Sequence, residues 1–124
     1  MWSRVIQEWT QIGGSTTAKV TQAEPFWVET SAVQDAAFLV EVSFTQNTRI
    51  YLTFETAPVS EEAFFLPMQK DDALDLASVS GSLIQPCYAH ATLGPPVASF
   101  VRWRVTPGGS APWAACFRIT MLGV

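Results

Sequence analysis

The chain has 124 residues, of which 48% are hydrophobic, 12% aromatic and only 15% charged, against roughly 25% charge in a typical domain. That balance excludes intrinsic disorder, which needs low hydrophobicity and high net charge, and it suits one domain with some apolar surface left for a partner. The net charge of -4 argues against nucleic acid, which calls for a basic face to neutralise phosphates, and no apolar stretch approaches the roughly 20 residues of a membrane-spanning helix.

In chain order, Met1 to Trp9 contain no apolar core of a secretory signal, which predicts a cytoplasmic chain or one incorporated into a particle such as a virion. Residues 5–12 read as a strand ending at Gly13-Gly14. Residues 18–23 and 27–30 read as short strands separated by Pro25. The clearest signal is alternation with a period of two. Phe38, Val40, Val42 and Phe44 face one way, with Glu41, Ser43 and Thr45 opposite; Ile50, Leu52 and Phe54 then face inward, with Tyr51, Thr53 and Glu55 outward. A short polar connection between two such runs predicts an antiparallel hairpin over 38–56.

Residues 64–68 suit an edge strand because Pro67 cannot donate to a central ladder. Residues 74–79 and 82–84 are weaker strands, and residues 71–75 suggest one helical turn. Val101, Trp103 and Val105 then alternate with Arg102, Arg104 and Thr106. Past the Pro- and Gly-rich residues 107–112, Ala115, Phe117, Ile119 and Met121 alternate with Cys116, Arg118 and Thr120. This predicts a second hairpin over 100–122. No segment has the spacing of a ten-residue amphipathic helix. The expected architecture is an all-β, antiparallel two-sheet sandwich of jelly-roll type, filling residues 1–124 as one domain. An immunoglobulin-like sandwich is the alternative, but Cys87 and Cys116 flank Trp103 at the wrong spacing for it.

The run Leu52-Thr53-Phe54-Glu55-Thr56-Ala57-Pro58 followed by Phe64-Phe65, and the later Phe100-Val101-Arg102-Trp103-Arg104-Val105, resemble discoidin-like, galactose-binding-type jelly rolls over roughly residues 26–122. The resemblance implies a fold and a binding habit rather than a ligand. Similar sandwiches also build phage tails, fibres and capsid decorations, so the fold does not choose among uses.

Candidate chemistry is sparse. Cys87 and His90 are three residues apart, and in an extended chain they point to opposite faces, so a thiol–imidazole pair is not expected. Two cysteines and one histidine cannot make a four-ligand Cys/His zinc site. Cys116 reads as a small core residue, and a Cys87–Cys116 disulfide as the minor alternative. Asp71, Asp72 and Asp75 form an acidic cluster that could suit calcium, as discoidin-like modules sometimes do, but reads first as a solvated turn beside Lys70. Glu61 and Glu62 read as solubilising, or as part of a turn capped by Ser60. Gly108-Gly109 lies in a loop and is no phosphate cradle. No enzyme and no cofactor are expected.

Binding is the better prospect. Arg102, Arg104 and Arg118 fall on the outward side of their strands, where they can pair with Glu41 and Glu55 in a cross-strand charge ladder or form a contact patch. Trp103 reads as core. Trp2, Trp9, Trp27 and Trp113 lie near termini or loops, as plugs or as anchors for a sugar or protein. The site residues selected are Trp27, Trp113, Tyr51, Arg102, Arg104 and Arg118. The expected function is a structural module that contacts protein partners as a homo-oligomer or a subunit of a larger, phage-type assembly. A carbohydrate-binding module is the alternative, and neither nucleic acid nor membrane is expected as a partner.

Overall fold

A computed structural model describes residues 2–30, 36–47, 49–68, 74–79, 81–87, 97–109 and 111–123. These form strands β1 (Trp2–Gly14), β2 (Val20–Thr21), β3 (Val28–Glu29), β4 (Ala36–Gln46), β5 (Ile50–Ala57), β6 (Leu66–Pro67), β7 (Leu74–Asp75), β8 (Ser82–Cys87), β9 (Phe100–Pro107) and β10 (Trp113–Gly123). Three short 3₁₀ turns, Glu24–Phe26, Glu62–Phe64 and Leu76–Ser78, are the helical segments among the described residues.

Sheet I has the order β1-β10-β4-β8. In sheet II, β2 and β3 both pair with β9, β9 pairs with β5, and β5 pairs with both β6 and β7. All of these ladders are antiparallel. If β2/β3 and β6/β7 are each taken as one interrupted strand, the pairing is nested. The first strand pairs with the last, the second with the last but one, and so on to the centre. That is the strand order of a jelly roll, the sandwich expected from the sequence.

The two expected hairpins do not form. β4 belongs to sheet I and β5 to sheet II, and β10 and β9 are divided in the same way. Alternation reports which side of a strand faces the core; it does not report which neighbour completes the ladder. Two strands facing each other across a core alternate just as two side by side do. The corner after β4 uses Asn47 (φ 76°) and Arg49 (φ 63°), both in the left-handed region, which carries the chain across to the other sheet. The corner after β9 docks on it: the Gly108 amide donates to the Arg49 carbonyl at 2.7 Å. A Cβ at Gly108 would stand 2.6 Å from the Arg49 Cβ, so only glycine allows this approach.

The core sits between the sheets and is built from the inward residues of β4, β5, β9 and β10. Phe38 of sheet I stacks on Phe54 of sheet II with ring centroids 3.7 Å apart, and Trp103 meets Phe117 edge-on at 5.2 Å. Such pairs contribute about 0.5–1.5 kcal/mol each beyond the area they bury.

Bulges reshape sheet I. In β4, Ser43 is an extra residue between the pairs Cys116↔Phe44 and Phe117↔Val42. Phe44 is thereby turned away from the core and is 42% exposed. In β1, Glu8 and Trp9 together oppose Arg118, since Gln7 pairs with Ile119 and Thr10 with Phe117. Cys116 shares the outward side with Phe44 and is half-buried, so it is not a core residue. Cys87 lies opposite Ala36 and Cys116 opposite Phe44. Eight positions on β4 correspond to about 26 Å at roughly 3.3 Å per residue, so a disulfide is excluded.

Of the helical turn expected at 71–75, residues 71–73 lie outside the described residues and Leu74–Asp75 form β7, with a 3₁₀ turn following at Leu76–Ser78. Asp75 begins it by accepting from the Ala77 amide at 3.0 Å, and it also accepts from the Ile50 amide at 3.2 Å. Asp75 is thus a turn cap rather than a free ligand. Lys70, Asp71, Asp72 and His90 lie outside the described residues.

Candidate functional site

The outer faces of the two sheets are built differently. On sheet II, the register places Glu55 opposite Arg102 and Thr53 opposite Arg104. Arg102 is fully buried although it points away from the core. Its cover comes from loops that fold back over the sheet. Trp27, between the 3₁₀ turn Glu24–Phe26 and β3, lies with its ring centre 4.9 Å from the guanidinium carbon, and Phe65, following the turn Glu62–Phe64, lies at 3.9 Å. The two rings meet edge-on at 4.8 Å, and the Trp27 indole N–H donates to the Gln22 carbonyl at 2.7 Å. Arg102 is therefore roofed by aromatic rings that attract its charge.

Carboxylates complete the enclosure. Arg102 Nε donates to Glu55 Oε1 at 2.8 Å, and Glu55 is itself 3% exposed. Nη1 and Nη2 both donate to the Glu62 carboxylate, the latter at 3.0 Å, in a bidentate pair. Arg104 Nη2 reaches Glu62 Oε1 at 3.2 Å and Glu55 Oε1 at 3.4 Å. Hydrogen bonding from Arg102 holds the Glu62 carboxyl below its ordinary value, outweighing the opposing effect of burial with help from the charges of Arg102 and Arg104. Burial opposes the charge on Arg102, but Glu62 and Glu55 outweigh it and raise its pKa. Glu62 thus has a specific role beyond solubility, and its turn begins at Glu61 without a side-chain cap, not at Ser60.

The outer face of sheet I is open and carries apolar side chains around a charged centre. One row across it reads Val5, Thr120, Leu39 and Ile84; another reads Gln11, Cys116 and Phe44. Ile84 is 56% exposed and Trp9 48%. Charge on this face is centred on Arg118, whose guanidinium lies 3.2 Å from Glu8 and 4.0 Å from Glu41. The expected charge ladder therefore exists as two separate sets: Arg118 with Glu8 and Glu41 on one face, and Arg102 and Arg104 with Glu55 and Glu62 on the other.

A cleft of about 510 Å³ opens between β1 and β2. Ile6, Gln22 and Trp103 line its depth, with Glu8, Thr21 and Phe26 among its other lining residues. Gln22 ties the two sheets together there: its Nε2 donates to the Ile6 carbonyl at 2.8 Å, and its Oε1 accepts from the Trp103 amide at 3.4 Å. The Trp103 indole donates to Gln7 Oε1 at 3.1 Å. Phe26 is 66% exposed.

The residues selected from sequence are thus scattered. Trp27, Arg102 and Arg104 meet in one cluster. Tyr51 is half-buried on the same outer face, opposite Thr106 and Asp75. Arg118 is on the opposite face. Trp113 is a core residue at 4% exposure. As a contact residue Trp113 is a correction, since it packs in the core, and Arg102 is covered by Glu62, Trp27 and Phe65 rather than open on the surface. Sequence reasoning missed Glu62 and Phe65 as lids, and Phe44 and Ile84 as exposed; Trp9 was weighed as an anchor but not selected. Glu55, Phe65, Arg102 and Arg104, from the runs 52–58, 64–65 and 100–105, meet at the Arg102 cluster.

No family model matches the chain, and no curated protein matches it. A search of solved structures finds a chain from the "Structure of infectious bursal disease virus Gx strain", with a TM-score of 0.44 and 10% identity, covering 98% of this chain and 31% of that one. The chain therefore spans about a third of the length of the structure it matches.

Proposed function

We propose that this protein is a non-catalytic structural and interaction module, a subunit of a larger protein assembly, and that it docks through the outer face of sheet I. The observation that carries this reading is the placement of Trp9, Phe44 and Ile84, all exposed, on one sheet face together with half-buried Val5 and Leu39, around the Arg118–Glu41 pair. Large apolar side chains gathered on one face favour a covering partner, and Trp anchors such interfaces best. The β1 and β4 bulges act to expose Trp9 and Phe44, and bulges of that kind re-aim side chains at functional edges. The reading includes self-association or incorporation into a particle of the phage type, a common use of jelly-roll domains.

The test is association state. Static light scattering over a range of protein concentrations should show growth in mass for the natural sequence, and loss of that growth in a variant carrying Trp9→Ser, Phe44→Ser and Ile84→Ser. A natural sequence that stays monomeric throughout the concentration range would end the proposal of self-association through this face.

A second reading has one specific observation behind it. The cleft between β1 and β2 has exposed Phe26 beside Glu8 and Thr21, an aromatic face next to polar groups as a sugar ring requires. In this reading a glycan array shows binding that Phe26→Ala abolishes; a blank array contradicts it.

A further inference from the structure

The Arg102 cluster is more elaborate than a stability element on a sheet face needs to be. The guanidinium is buried, roofed by Trp27 and Phe65, and anchored from below by buried Glu55. Its two terminal nitrogens both face one carboxylate, that of Glu62. Yet Glu62 is a surface residue: its side chain is 66% exposed, and it sits in a turn whose other residues are also exposed. A preformed, desolvated fork that matches a carboxylate is thus closed by a side chain that can rotate into water without moving the backbone.

We propose that Arg102 and Arg104 form a carboxylate-binding site, filled in cis by Glu62 and open in trans to a carboxylate of a protein partner. Three features favour a carboxylate. The fork already holds one in bidentate geometry, the arrangement that gives arginine its selectivity for planar anions. With Glu62 swung out, two arginines and Glu55 leave a net charge of +1 (two positive, one negative), which matches a monoanion and not a phosphate dianion. Arg104 Nε is buried with no hydrogen-bond partner among the described residues, so the site has donor capacity that Glu62 does not use. Val59, Phe64 and Leu66, exposed on the same excursion of the chain, offer apolar contact for the residues flanking an incoming acidic group. The site stands apart from the apolar face of sheet I, so either can fail without the other.

The experiment uses Glu62→Ala and sodium acetate as the probe, with sodium chloride at equal ionic strength as the reference. Binding is followed by the NMR signals of the Arg102 Nε–H and Trp27 indole N–H, and by melting temperature. A tethered carboxylate competes at millimolar effective concentration or above, so acetate should bind the variant at least about tenfold more tightly than the natural sequence and restore part of its lost melting temperature. Glu62→Gln, which keeps the side chain's size, should show the same Arg102 shift. Adding Arg104→Gln to Glu62→Ala should weaken acetate binding. A short acidic peptide, with its C-terminus free or amidated, then separates the two carboxylate sources: binding lost on amidation assigns the terminus, binding retained assigns a side chain. If acetate does no more than chloride in both Glu62 variants, or if Arg104→Gln leaves binding unchanged, the proposal is overturned.

Discussion

The two outer faces of this sandwich treat the same problem in opposite ways. Sheet II carries arginines and glutamates on its outward positions and then covers them, so that its charges are buried, paired and enclosed by aromatic rings. Sheet I carries Trp9, Phe44 and Ile84 outward and leaves them bare. A polar face has been made internal, and an apolar one external. The lesson is that outward on a strand does not mean exposed, and that function on a sandwich is set by what the loops cover.

The contrast can be broken most forcefully at Arg102. Arg102→Met removes one partner of a buried ion pair and leaves Glu55 enclosed with Arg104 at 3.4 Å as its remaining counter-charge, which should cost up to about 3–5 kcal/mol. Urea unfolding measures it. Pairing that substitution with Glu55→Leu should recover much of the loss, because a buried pair replaced by apolar residues is often near neutral. If the single variant is as stable as the natural sequence, sheet II is not organised around this pair.

Glu62 gives a smaller and pH-dependent effect. Because its carboxylate is largely exposed, solvent screening limits Glu62→Gln to about 1 kcal/mol or less. Its folded pKa is lowered, so its contribution is present in full above the ordinary glutamate pKa of about 4.3. It is lost as pH falls through the lowered value. The stability gap between the natural sequence and Glu62→Gln should therefore hold constant near neutrality and close in acid. A gap that widens on acidification would have the wrong sign.

The smallest expected change in stability is on sheet I. Trp9→Ser and Phe44→Ser should each shift unfolding by about 0.5 kcal/mol, the range of surface substitutions, while strongly affecting association. Large losses of stability from either would mean that these side chains belong to the fold and not to an interface.

How much of this the sequence discloses depends on the kind of interaction. The alternation at Phe38 and Val40, and again at Leu52 and Phe54, gives the strands and their buried side, because side-chain direction is local. It does not give partners: that β4 crosses to the other sheet depends on both Asn47 and Arg49 adopting positive φ, which asparagine favours but arginine does not announce. The bulge at Ser43 is equally silent, and it reverses Phe44. Glu55 and Arg102 could be matched from their outward positions and opposite charge. Glu62 and Phe65 could not, since they reach Arg102 through a loop excursion whose path depends on the whole sandwich. Trp113 looked like a loop residue because it follows Pro112, yet it opens β10 and packs inward.

The central claim is that the bare face of sheet I is a docking surface. Light scattering of the natural sequence beside the Trp9→Ser, Phe44→Ser, Ile84→Ser variant tests it most directly, with melting temperature recorded for both. The account predicts association that grows with concentration for the natural sequence, none for the variant, and similar melting temperatures. Equal association by both proteins would contradict it.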